Sequence, residues 1–299
     1  MAQEIAVERL PTRTVSRPLW NKRTRRFVGH TIVYIFMTGM GFIFLIPLFW
    51  MISTSLKTFQ QTWAWPPIWI PNPIVWRNYV ELFEVAPFAL FIRNTLILVF
   101  WDIIGSTLSD AMVGYGFARI RFWGRDFMFI VLLATLMIPG EVTMIPRFLL
   151  FKYIGWYNTY LPLVVPQFFG GAFHIFLIRQ YMRTIPLDLD DAARIDGASR
   201  FQIWYRIILP LCIPPLTIVV VHSFMASWNA FMGPLIYLND TKKYPLAVAL
   251  NMLKAIVDGQ TNWNLLMAGS LISVVPCIII YYFAQNKLIG GIASVGLKG

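Results

Sequence analysis

Long apolar stretches recur six times along the chain, at about 31–52, 88–117, 127–145, 160–178, 211–235 and 265–283. A helix needs about 20 apolar residues to cross the roughly 30 Å of hydrocarbon in a bilayer. Each stretch meets that length, some with interruptions, so the pattern predicts an all-α integral membrane protein with six transmembrane helices. Residues 1–30 form a basic tail, and 31–299 form a single membrane domain. A longer polar connection, about 182–210, separates the fourth and fifth helices. The first helix is too long, and too far behind a polar and basic lead, to read as a cleavable signal.

Interruptions mark several spans. Pro139-Gly140 breaks the third near its outer end, and Pro162, Pro166, Gly170 and Gly171 interrupt the fourth. Such breaks are tolerated where neighbouring helices or a wet cavity satisfy the freed backbone groups. The stretch Trp63-Ala64-Trp65-Pro66-Pro67-Ile68-Trp69-Ile70-Pro71 suits an interfacial ledge, either as an aromatic belt or as a docking surface for an external partner.

Composition agrees with the pattern: 58% of residues are hydrophobic and 13% charged, and the mean hydropathy is +0.62. The net charge of +11 is distributed by topology. Arg9, Arg13, Arg17, Lys22, Arg23, Arg25 and Arg26 precede the first span, and Arg119, Arg121 and Arg125 follow the second. Arg179, Arg183, Arg194, Arg200 and Arg206 surround the fourth connection. Positive charge gathers on the cytoplasmic side. The expected location is therefore the plasma or inner membrane, multi-pass, with both termini cytoplasmic. No recognition fold accompanies the basic residues, so nucleic acid is not an expected partner.

The connection between the fourth and fifth spans reads as two helices and a turn. Pro186 and Asp188 begin the first, with acidic side chains at Asp188, Asp190 and Asp191 favouring the positive end of the helix dipole. Asp196-Gly197 supplies a stop. Ser199 and Gln202 have the spacing of a capping box, and Pro210 closes the second helix. Ala192, Ala193 and Ile195 leave a low profile that a groove on another protein could accept; an amphipathic helix resting on lipid is the alternative.

From Asp191 to Leu209-Pro210 this loop resembles the Glu-Ala-Ala motif of ABC importer permeases, with Asp191 standing for the usual Glu. Further segments resemble the carbohydrate branch of that family and its maltose-type G subunit. They are Tyr115 to Arg119 with Phe122 to Arg125, Met137 to Pro146, Ser227 to Phe231, and the ending Gly296 to Gly299. The sequence departs from that pattern at Ala230, where an acidic residue is common, and at Asp110, where the family usually carries no charge.

The resemblance implies a cytoplasmic coupling helix that inserts into a cleft of an ATPase. Asp190, Asp191, Ala192, Ala193, Arg194, Asp196, Gly197 and Ala198 would form that contact. It also implies alternating access. The implied partners are a second related permease, an ATPase dimer, an extracytoplasmic solute-binding protein and a carbohydrate, in membrane lipid. The chain would carry no cofactor and no catalytic residue, because ATP and Mg would reside on the ATPase. A phosphate-binding loop is missing from Gly291 to Gly296, where Leu297 occupies the Lys position.

Within the spans, Trp228, Asn229 and Phe231 combine aromatic faces with an amide, a pairing suited to sugars; packing between helices is the alternative. Asp102 and Asp110 are candidates because charge in a membrane is costly unless paired or wet. They lie about 80° apart around one helix, and Asp110 has Arg119 or Arg121 as expected partners. His174 and His222 read as isolated packed histidines without metal-ligand spacing. Cys212 and Cys277 read as buried thiols. Other readings are a permease for a glycerol phosphate or another polar solute, an intramembrane serine protease using Ser270 and His222, and a secondary transporter.

Overall fold

The computed structural model describes residues 22–253 and 261–296, which are mostly helical with no strand among them. The basic residues Arg9, Arg13 and Arg17 and the last three residues, 297–299, lie outside the described part. The chain divides into two units, Met1–Trp50 and Met51–Gly299. Four helices are long and apolar enough to cross a membrane, and there are six spans if each of two bent pairs is counted as one.

The first helix, α1, runs Lys22–Ser55 and begins nine residues before the expected span. In the second unit, α2 (Asn78–Val85) leads into α3 (Phe88–Arg119), the second span. The third span is a bent pair, α4 (Arg125–Ala134) and α5 (Gly140–Tyr153), meeting at 98° across Pro139. Proline and glycine there release backbone groups and end the helix where the sequence anticipated. The fourth span breaks at Gly170, whose φ of 89° only glycine adopts freely, before α6 (Ala172–Met182).

A short helix, α7 (Asp188–Ile195), forms the connection to the fifth span. That span differs from expectation. Pro210 does not end the second loop helix; helical turns continue to Leu211, and the bend of 80° falls at Cys212, before α8 (Ile213–Trp228). Pro210 follows directly on the π turn Trp204–Ile208, where the regular hydrogen-bond ladder is already interrupted, so its missing N–H is accommodated in the turn it was expected to close. The span then stops at Trp228, and a separate helix, α9 (Met232–Tyr237), takes up residues assigned to it. The last elements are α10 (Leu246–Met252) and α11 (Trp263–Gly296).

Helix α3 is the central element of the second unit. Its first half packs in a core with Leu82, Phe224, Trp228, Leu246 and Leu265, drawn from α2, α8, α10 and α11. Its other half packs with Ile178, Met182, Ile203, Ile208 and Val219. Small residues permit the approach: a Cβ on Gly114 would lie 2.9 Å from Ile178 Cγ2. Close backbone contact through small residues is how membrane helices associate without a hydrophobic drive between them. Polar side chains join the segment before α10 to the same helix. The Asn94 amide donates to the carbonyls of Lys242 and Tyr244, and Thr95 accepts from the Leu246 N–H at 2.7 Å.

Candidate functional site

The loop helix α7 is built from local signals. Asp188, Asp190 and Asp191 occupy its first turn. At its other end, Gly197 has φ 80° and donates its N–H to the Arg194 carbonyl, while Ala198 donates to Ala193. This paired arrangement satisfies the last carbonyls and requires the left-handed residue that Gly197 supplies. The capping box forms in full: Ser199 accepts from the Gln202 N–H, and the Gln202 side chain accepts from the Ser199 N–H. After Ile203 the helix widens into a π turn over Trp204–Ile208.

Helical periodicity divides the candidate coupling residues between two faces. Asp190 and Ala193 point inward and are buried; Asp191, Ala192, Arg194, Asp196 and Gly197 are exposed, and Ala198 is half-buried. Ala193 packs in the core and is therefore not part of the outward low profile expected of it. Ile195 is 87% exposed, an apolar tip on the outer surface.

Asp190 pairs with Arg119 at the end of α3, 3.5 Å away, both side chains nearly inaccessible. Arg119 also donates to the Ile185 carbonyl at 2.8 Å. Arg119 therefore serves the loop and not Asp110, its expected partner. Burial pushes the Asp190 carboxyl above the usual carboxylate range, against the pull of Arg119 and then Arg194. The pair fastens α7 to the span that runs through the core. Beside it lies a cavity of about 380 Å³ lined by Tyr115, Arg119, Asp190, Arg194 and Arg200 among others.

A polar seam runs inside the bundle. Ser106 on α3 and Ser223 on α8 share a hydrogen bond of 2.7 Å, and Ser109 donates to the Gln167 carbonyl. Asp110, fully buried, accepts from the Gly171 N–H at 2.6 Å and pairs with His174 Nδ1 at 2.8 Å. His174 Nε2 in turn lies 3.0 Å from His222 Nδ1. The two histidines are thus not isolated: they continue a chain from a buried carboxylate to the exposed side chain of His222. The break at Gly170-Gly171 frees backbone donors at the start of α6, and a carboxylate at that positive helix end satisfies one of them.

The three pathway candidates are separated. Trp228 is 3% exposed; its indole donates to the Ser273 carbonyl at 3.0 Å and its ring stacks on Phe224, so it joins α8 to α11. Asn229 is exposed and its amide donates to the Met225 carbonyl within its own helix. Phe231, with Asp102, Gln167 and Ser227, lines a cavity of about 320 Å³. Replacing Trp228 by Phe is expected to remove the indole bond and lower stability by about 1 kcal/mol while leaving solute affinity unchanged. Melting of the purified protein beside a solute titration measures both. Ser270 donates to the Leu266 carbonyl, one turn back, and His222 faces His174, so the pair needed by a serine protease is not assembled.

A bundle of broken and continuous spans, with a short helix clamped to one end, defines a polytopic membrane subunit. Residues 111–292 match the family of binding-protein-dependent transport system inner membrane components, and the chain belongs to that family. It is 30% identical, over 93% of its length and 91% of the relative's, to the probable ABC transporter permease protein YurM of Bacillus subtilis. It is also 30% identical, over 92% of its length and all of the relative's, to the arabinooligosaccharides transport system permease protein AraQ of Halalkalibacterium halodurans. In fold it matches a chain from the crystal structure of a bacterial ABC transporter involved in the import of the acidic polysaccharide alginate. That match has a TM-score of 0.78 at 21% identity and covers 90% of this chain and 99% of that one.

Proposed function

We propose that this chain is one of two permease subunits of an ABC importer for a carbohydrate, and that it relays ATP-driven closure of an ATPase dimer to the solute pathway. The carrying observation is α7: a short helix closed at Gly197, anchored through Asp190 to Arg119, and presenting Asp191, Ala192, Arg194 and Ile195 outward. A rigid anchor on one face and a bare opposite face suit a lever. Kinship with an arabinooligosaccharide permease supports a carbohydrate as the solute. The Asp102 and Phe231 cavity, with carboxylate, amide and aromatic groups, has the chemistry to hold hydroxyls and a sugar's apolar face.

ATP and Mg belong to the ATPase subunits in this reading, and a solute-binding protein delivers the sugar on the opposite side. The loops bearing Arg119 to Arg125 and Arg183 to Arg206 face the cytoplasm, as the positive charges favour. Hydrolysis drives transport only through contacts that differ between two conformations of this chain.

The test is affinity purification of the chain from its native membrane with identification of its companions, followed by ATPase assay with candidate sugars. An ATPase, a second permease and sugar-stimulated hydrolysis are expected; a solitary chain transporting without ATP would overturn the reading. In the same assay Gly197→Pro, which cannot take a φ of 80°, is expected to abolish sugar-stimulated hydrolysis while the protein still inserts into the membrane. Normal stimulation in that variant would remove α7 from the coupling path.

A further inference from the structure

Beside the cavity at α7, a second one of about 330 Å³ opens between the end of α3, the start of α4 and the end of α6. Five arginines line it, Arg119, Arg121, Arg125, Arg179 and Arg183, with no acidic residue among the lining groups. Two have carboxylate partners: Arg119 faces Asp190, and Arg125 binds the exposed Asp126 at 3.0 Å. Arg179 is held in place by the Phe117 carbonyl and by the face of Phe129, 3.8 Å from its guanidinium carbon. Arg121 and Arg183 form no ion pair among the described residues. The Nε of Arg119 is buried without a hydrogen-bond acceptor. Several guanidinium groups are thus assembled around one space with too little negative charge to balance them, and guanidinium geometry matches phosphate oxygens closely.

The rim indicates where that phosphate comes from. Arg121 and Arg125 also border an adjoining hollow with Phe122 and Phe127. Trp123, between them in sequence with Phe122, is 98% exposed, and Phe127 is 70% exposed. Exposed aromatic rings at the end of a membrane helix mark headgroup depth, and Ile130 and Val131 continue an apolar exposed surface along α4. We propose that this cavity binds the phosphate of an anionic phospholipid headgroup, with the acyl chains lying past Phe127 on α4. The binding fastens the ends of three spans next to the α7 anchor. The proposal rests on the functional reading above only for the placement of this end at the cytoplasmic leaflet.

The experiment is native mass spectrometry of the delipidated importer complex titrated with phosphatidylglycerol or phosphatidylcholine, in wild type and in a double variant, Arg121→Gln with Arg183→Gln. Both side chains are exposed, so folding is expected to survive. Wild type should retain one phosphatidylglycerol, and the variant should bind it at least about tenfold more weakly, with phosphatidylcholine retained equally by both. Equal retention of phosphatidylglycerol by wild type and variant would overturn the proposal. Displacement of the lipid by millimolar glycerol 3-phosphate would assign the site to a soluble phosphate ester and overturn the lipid source. Loss of the ATPase subunits in the variant with lipid retention unchanged would assign the arginines to an acidic protein surface, again overturning it. Lipid retention does not depend on which solute is carried, so failure here is distinct from failure of the carbohydrate reading.

Discussion

Asp110→Ala is expected to destabilise the purified protein by about 3 kcal/mol or more. Asp110 is fully buried and holds two partners, the Gly171 N–H and the His174 ring. Alanine leaves the Gly171 amide at the start of α6 and the Nδ1 of His174 without the acceptor they share, and losing a buried acceptor costs the desolvation of both groups. Asn at the same position keeps a carbonyl for Gly171 and should cost only about 1 kcal/mol. Melting of the complex in detergent ranks wild type, Asn and Ala. An alanine variant as stable as wild type would mean that the broken fourth span is held by something other than this carboxylate.

The second large effect is expected at the Asp190–Arg119 pair. Asp190→Ala would leave the Arg119 guanidinium buried without its carboxylate, at a cost of about 3 kcal/mol, and would release α7 from α3. Solute-stimulated hydrolysis should fall sharply while basal hydrolysis persists. Arg119→Met combined with Asp190→Leu removes both charges and should be less unstable than the sum of the single changes, because neither charge is then stranded. Amide exchange in α7 reports the anchor directly. Protection unchanged in Asp190→Ala, together with normal stimulation, would sink the idea that this ion pair transmits force.

Both predictions concern residues that sequence reading found but paired wrongly. Asp110 stood out as a charge within a span, and the arginines after the same helix looked like its partners; its actual partner is His174, 64 positions away. Arg119 was noticed for topology, yet it answers Asp190, with two whole spans between them in sequence. Trp228 carried the composition of a sugar platform, but the face it occupies on α8 turns it into the core against Phe224. Nothing in a linear pattern distinguishes an inward from an outward aromatic residue on a helix that is apolar all round.

What the chain determined by itself is local. Apolar length specifies α1, α3 and α11, since hydrocarbon thickness demands a minimum run and backbone hydrogen bonds close within each helix. The turn at Gly197 and the capping box at Ser199 follow from residues three or four apart, whose chemistry acts without help from the rest of the molecule. Tertiary structure alone decided the angles at Pro139 and Cys212, 98° and 80°. It also decided which ionisable groups meet and which face of each span is buried. Those outcomes depend on packing between helices distant in sequence: burying one charge makes its nearest opposite partner or donor indispensable, and only the assembled bundle sets which one that is.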